Sequence, residues 1–233
     1  MATNKRVCRD DEPPWLGYRG YVLDGRFPHE ARLPSGLTFR YRLGRWHRIG
    51  WRAPIKRRRL AGHLKANGRR VGAVQLTQYE PQLMTNCEFV SFMDEESQHD
   101  YDLAIMLCRH WEDLSDVTAY GDIVEIDLVW MKRRFARRGE WADAVHLLLA
   151  EIETDYALII LKAFPLEHEV RRRGRAVTRL MRRRQAAMLR HYGWLLGVRP
   201  FPGRYGKEGW MWCFNPLKAA FLDPPERRRS PAL

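Results

Sequence analysis

At 233 residues with 45% hydrophobic content, the chain is long enough for one large domain with its own core, which excludes global disorder. A net charge of +13 favours anionic partners, nucleic acid and nucleotides among them, without specifying a fold. No apolar run approaches the roughly 20 residues of a membrane span, the N-terminus lacks the apolar segment of a secretory signal, and four scattered cysteines without a CxxC pair point to a reducing, cytoplasmic compartment.

Residues 1–59 read as an irregular basic extension, punctuated by Pro13-Pro14, Gly17, Gly20, Gly25, Pro28, Pro34 and Gly36. One alternating strand stands out in it, Leu37–Leu43, with Leu37, Phe39, Tyr41 and Leu43 on one face. The run Lys56-Arg57-Arg58-Arg59 reads as a solvated boundary or an anion-binding patch. Leu60–Ala66 and Arg70–Thr77 then flank Asn67-Gly68. That pair is a hairpin signal, because both turn positions need positive φ.

Asp94-Glu95-Glu96 precedes Leu103, Leu107 and Trp111 at helical spacing, which predicts a helix opened by acidic residues. Ile123–Met131 reads as a strand on which Glu125 and Asp127, two apart, share a face. A helix over about Gly139–Glu153 comes next, with Trp141, Val145, Leu148, Leu149 and Ile152 as its apolar stripe. Tyr156–Lys162 is apolar on both faces, the pattern of a buried parallel strand. An Arg-rich helix from about His168 to Tyr192, a turn-rich connection with Gly197 and Pro200, a strand over Trp210–Phe214 and a basic tail over 217–233 complete the chain.

The order hairpin, strand, helix, buried strand, helix, strand predicts an α/β mixed sheet, antiparallel at its N-terminal side, with a central parallel pair and flanking helices. Over residues 60–216 this order, with the strand-loop-helix stretch Val124–Ile152, resembles the GNAT acyltransferase family. In that family a loop of the form Arg/Gln-x-x-Gly-x-Gly/Ala opens the helix and holds the acyl-CoA pyrophosphate. Here the corresponding stretch is Ala136-Arg137-Arg138-Gly139-Glu140-Trp141-Ala142. Ala136 and Trp141 depart from the pattern, and Glu140 adds a like charge. A helix start suits an anion in any case, because its N–H groups lack partners and its dipole is positive. Arg171-x-x-Gly174-x-Ala176 fits the spacing better, yet too little chain comes after it for another strand–helix unit.

The resemblance implies an N-acyltransferase, most simply an N-acetyltransferase that uses acetyl-CoA as co-substrate and an amine of unstated identity as acceptor. It implies that Arg137, Arg138, Gly139, Glu140, Trp141 and Ala142 hold the cofactor phosphates, and that backbone groups of Val129 and Met131 pair with the pantetheine arm. Glu125 is then the base, Asp127 its same-face alternative, and Tyr192 the acid that meets the departing thiolate. Each has an ordinary structural explanation as well: a carboxylate ending on a solvated face, a buried hydrogen-bonded tyrosine, a core tryptophan. Cys108, His110 and His99 fit no zinc spacing, and no metal is expected. No Gly-x-Ser-x-Gly or Gly-x4-Gly-Lys-Ser/Thr motif is present. A second reading is a nucleic-acid-binding protein on the same scaffold without catalysis, which Arg171–Arg173, Arg175, Arg179, Arg182–Arg184 and Arg190 along one helix would serve.

Overall fold

A computed structural model describes residues 26–49, 55–82, 84–136, 139–164 and 179–222. They form a sheet of nine strands in the order β1-β2-β4-β5-β6-β7-β9-β8, with β3 paired to β4 at the side. The strands are β1 (His29–Arg32), β2 (Thr38–Leu43), β3 (His47–Arg48), β4 (Lys56–Ala66), β5 (Arg69–Glu80), β6 (Asp122–Met131), β7 (Tyr156–Lys162), β8 (Arg199–Pro200) and β9 (Trp210–Phe214). All neighbours run antiparallel except β6 and β7, the single parallel pair.

The sheet therefore begins at His29, well before Leu60. The basic run at Lys56 is the first stretch of β4 rather than a boundary. Its side chains are paired, two of them across to β5 and one to the turn between the helices that follow: Lys56 with Glu80 at 3.0 Å, Arg58 with Gln78 at 2.7 Å, and Arg57 with Glu96 at 2.6 Å. The β4–β5 hairpin turns at Asn67 and Gly68, both with positive φ (49° and 75°), as the Asn-Gly dipeptide requires.

The helices are α1 (Asn86–Asp94), α2 (Gln98–His110), α3 (Ser115–Thr118), α4 (Arg133–Ala136), α5 (Glu140–Ala150), α6 (Arg179–Leu196), α7 (Gly203–Lys207) and α8 (Ala219–Leu222). Asp94 closes α1 rather than opening α2, because Ser97 caps α2 by accepting from the Asp100 N–H. Helix α1 starts with a capping box, Thr85 and Glu88. Helix α6 runs past Tyr192 to Leu196. The start expected for it near His168, and the Arg171-x-x-Gly174-x-Ala176 stretch, lie outside the described residues.

Alternation along the strands splits the core into two layers. Val74 and Leu76 of β5, Val124 and Ile126 of β6, and Ile159 and Leu161 of β7 pack against Trp141, Val145, Leu148 and Leu149 of α5 and against Leu196 of α6. Tyr79, Ile123, Leu158 and Ile160 face the other way, onto Phe89, Met93, Leu103 and Leu107 of α1 and α2 and onto Trp210 and Trp212. Both faces of the parallel pair are covered, which is why β7 reads as a continuous apolar run. Among the described residues no helix is long and apolar enough to cross a membrane.

Candidate functional site

The site grows from one irregularity in β6. Leu76 opposes Ile126, but the preceding residue of β5, Gln75, opposes Leu128, so Asp127 is an extra residue in β6. A bulge of this kind bends the strand and re-aims the side chains beyond it. Before the bulge Val124 and Ile126 face α5; after it Val129 and Met131 do. Parity has switched from even to odd.

At the same point the parallel ladder stops. The pairing of β6 with β7 runs from Asp122↔Tyr156 to Ile126↔Leu161 and no further. Beyond it the strands part around a cleft of about 430 Å³. One wall is Asp127, Val129, Trp130 and Met131; the other is Leu161, Lys162 and Phe164. Arg184, Met188, His191 and Tyr192 of α6 close it, with Trp141 and Ala136 at the α5 end. Among the described residues no strand pairs with β6 on this side beyond Ile126, and an unpaired strand edge is where backbone groups can meet a ligand.

Helix α5 gives Trp141 to the cleft, while its start, Gly139, Glu140 and Ala142, lines a separate pocket with Ser35, His146 and Leu195. Its N-cap is Gly139, at φ 71°, a left-handed conformation that glycine adopts without penalty. A Cβ there would lie 3.0 Å from Leu195 of α6. Gly139 has no side chain to cap α5; the Ala142 N–H turns back to the Gly139 carbonyl at 2.8 Å. Glu140, the first helical residue, is buried at the end of the helix where the dipole favours a negative charge. Arg137 and Arg138 lie outside the described residues. Trp141 does not stand over the helix entrance: it is 3% exposed, and its ring meets Tyr192 edge-on at 5.0 Å. Its indole belongs to the core, and Ala142 is buried beside it.

Glu125 and Asp127 are neighbours with different surroundings. Glu125, only 2% exposed, has a neighbour on each oxygen: His99 Nε2 lies 2.7 Å from Oε1, and the Tyr79 hydroxyl, whose one proton is shared with Asp100 Oδ1 at 2.9 Å, lies 3.3 Å from Oε2. Burial pushes this carboxyl up. The charge of His99 and hydrogen bonds from His99, Asp127 and Tyr79 outweigh burial and hold it below its ordinary range. The Glu125 charge in turn raises His99 to about 9, against the cost of burying the imidazolium. Asp127 receives Thr77 Oγ1 at 2.5 Å and Gln75 Nε2 at 3.1 Å, both on Oδ2. Burial and then the Glu125 charge push it up to about 7, past what those hydrogen bonds and His99 recover. Tyr192 is raised well above its usual value by burial. It therefore stays a phenol at neutral pH, and its hydroxyl forms no hydrogen bond among the described residues.

Neither a family model, nor a curated protein, nor a solved structure matches this chain. The site therefore rests on its own geometry.

The expected residues fall into two groups. Asp127, Val129, Met131, Trp141 and Tyr192 line one cleft; Gly139, Glu140 and Ala142 line another pocket, on the side of Ser35 and His146. Glu125 does not line the cleft; it lies behind Asp127. His99, which with Cys108 and His110 fits no zinc spacing and reads from the sequence as core packing, is bonded to Glu125 and stacked on Trp210 with ring centres 5.9 Å apart. Tyr79 also reaches Asp100 at 2.9 Å, and Arg57 stands 3.8 Å from that carboxylate. The sequence does carry one sign of this network: Gln75, Thr77 and Tyr79 alternate inside a strand otherwise rich in apolar residues, so they share a face. Cys108 and His110 sit in α2, and His110 packs edge-on against Trp111 and Phe201.

Proposed function

We propose that this chain is an acyl-CoA-dependent N-acyltransferase, most simply one that moves an acetyl group from acetyl-CoA to an amine. The observation that carries the reading is the parting of β6 and β7 at the Asp127 bulge, beside which the first turn of α5 gives Trp141 to the same cleft. A thioester with a long amide-bearing arm and a pyrophosphate needs both features: a free strand edge to pair with the amides and a helix start to hold the phosphates. By the resemblance to the GNAT family, Val129 and Met131 offer the edge, and residues 139–142 the helix start, with Arg137 and Arg138 as countercharge.

Chemically, the acceptor must lose a proton before its nitrogen lone pair can attack the thioester carbon, and the departing thiolate must gain one. A carboxyl on β6 suits the first task and the Tyr192 phenol the second. The test is thermal. Acetyl-CoA at about a hundred times its dissociation constant should stabilise the fold by about 2.7 kcal/mol, a rise in Tm of roughly 5–10 °C for a chain of this size. No rise at millimolar acetyl-CoA would sink the reading.

A second reading, nucleic-acid binding on this scaffold without catalysis, is favoured by the outer face of α6. Arg179, Arg182, Arg183 and Arg190 are exposed there, and Trp194, on the same side of the helix, is 80% exposed. Cations along a helix with an open indole suit a phosphate backbone and a stacked base. Binding of a single-stranded oligonucleotide should then weaken steeply with salt, by about 0.7 in log K per decade of salt for each phosphate contacted. A flat dependence, or no binding at low salt, removes nucleic acid as a partner.

A further inference from the structure

We infer that Asp127 is the carboxyl that takes up the acceptor's proton, and that His99 is a positioning residue that locks Glu125 out of that role. The inference rests on the acyltransfer reading above and goes beyond it in assigning the proton acceptor and adding a residue from α2.

The geometry separates the two carboxyls. Asp127 is the bulged residue of β6 and forms part of the cleft wall. Thr77 and Gln75 share its Oδ2, which fixes the carboxyl plane. Glu125 is enclosed from every side that packs on it: His99 of α2 on one oxygen, Tyr79 of β5 on the other. For Glu125 to receive a proton from a ligand it would have to break the 2.7 Å contact with a cationic imidazole inside the fold. An ion pair with one partner enclosed is costly to open in this way.

His99 is held for the task. Its ring stacks on Trp210 of β9, over which Lys162 Nζ also stands at 4.9 Å. Its other charged neighbours are Asp127 and Asp100, and Asp100 is tied to Ser97, Tyr79 and Arg57. The half-exposed imidazole thus spans from solvent to the enclosed carboxylate. With Glu125 kept anionic, its charge favours the protonated form of Asp127, and burial does the same. A carboxyl poised near neutrality is the better general base at neutral pH. In the reaction the acceptor's ammonium N–H bond breaks and an O–H bond forms on Asp127. The freed lone pair attacks the acyl carbon, the C–S bond breaks and the Tyr192 phenol protonates the departing thiolate; the nitrogen's second proton restores the phenol, and Asp127 returns its own to water in the cleft.

The experiment uses the full chain labelled with ¹³C at aspartate and glutamate carboxyls, titrated by NMR without cofactor. Asp127 should titrate near neutrality while Glu125 stays ionised into the acidic range. Glu125→Gln should move the Asp127 midpoint down, because a repelling charge is gone. His99→Gln, or His99→Asn if the first folds poorly, should move the upper midpoint of the carboxyl pair up, because an attracting charge is gone. With acetyl-CoA and a panel of primary amines (spermidine, lysine, tyramine), Asp127→Asn should lower kcat about 10²–10⁴-fold and abolish the acidic limb of the pH–rate profile. Glu125→Gln should keep the limb and shift it to lower pH. A neutral titration on Glu125 in the unmodified chain, or an Asp127 midpoint unmoved by His99→Gln, overturns the inference. Equal kcat losses for both carboxamide variants do so too. Failure of acetyl-CoA to raise Tm would instead remove the acyltransferase reading, and the cofactor-free titration separates the two results.

Discussion

Trp141→Ala should lower the unfolding free energy by about 3–5 kcal/mol, the range for deleting a large buried aromatic side chain. The indole is 3% exposed and sits in the layer between the sheet and α5. Its removal also takes away the edge-on contact with Tyr192 and the tilted one with His191, 5.7 Å between centres. An aromatic pair adds about 0.5–1.5 kcal/mol beyond the area it buries. The vacated volume joins the adjacent cleft rather than closing, so water can enter and α6 loses a support on which Tyr192 depends. Trp141→Phe keeps an apolar ring in the same layer and should recover more than half of the loss. Denaturant unfolding reads all three chains. If the indole lay over an open phosphate loop, as its place in the motif suggested, Trp141→Ala would cost under about 1 kcal/mol. That outcome would contradict the packing described above.

The two positions of Trp141 show what the sequence could and could not convey. Its place in the apolar stripe Trp141, Val145, Leu148, Leu149 is a periodicity, and periodicity assigned α5 and its buried face correctly. Its place in the loop motif is a spacing along the chain, and spacing does not say where an indole points once α6 packs above it. The mixed sheet with a parallel pair, the Asn67-Gly68 hairpin and the strand at Trp210 were legible for the same reason: each has a local cause in alternation or turn chemistry. The strands before Leu60 were mostly not legible. β1 and β3 are short and their residues are mostly exposed, so they carry no alternating apolar signal; what secures them is pairing to β2 and β4. The charges of Lys56–Arg58 hid the first stretch of β4, because their partners Glu80, Glu96 and Gln78 lie 20 to 39 residues away.

The site divides along the same line. Two carboxylates at i and i+2 on a strand were visible, and so was the expectation that they share a face. The bulge that gives them different surroundings was not, because a bulge is a relation between two strands. His99 carried no signal at all: it is a polar residue in the first turn of α2, and its role comes from Glu125, 26 residues on.

The pairing of His99 with Glu125 gives the second large effect. Glu125→Ala should cost about 3 kcal/mol near pH 6, the low end for breaking an enclosed ion pair, since the half-exposed imidazole can turn to water. The loss should depend on pH in a definite direction. His99 is raised when folded, so its contribution is complete below its ordinary value near 6.5 and disappears as pH climbs through about 9. Asp127 is also raised, to about 7, so folding favours its protonated form, and stability from that source falls as pH rises from about 4 through 7. Above 7 the folded chain holds two adjacent carboxylates, and removing Glu125 relieves their repulsion. Both trends point the same way: the gap between the unmodified chain and Glu125→Ala should be widest at about pH 5–6.5, narrow from about 7 and be small above about 9. Below about pH 4.5 it should narrow again, because Glu125 is lowered and its contribution is lost on acidification. Urea midpoints of the two chains from about pH 4 to 10 trace this profile. A gap that stays constant across that range would mean that Glu125 contributes only packing and that His99 is not its ionic partner.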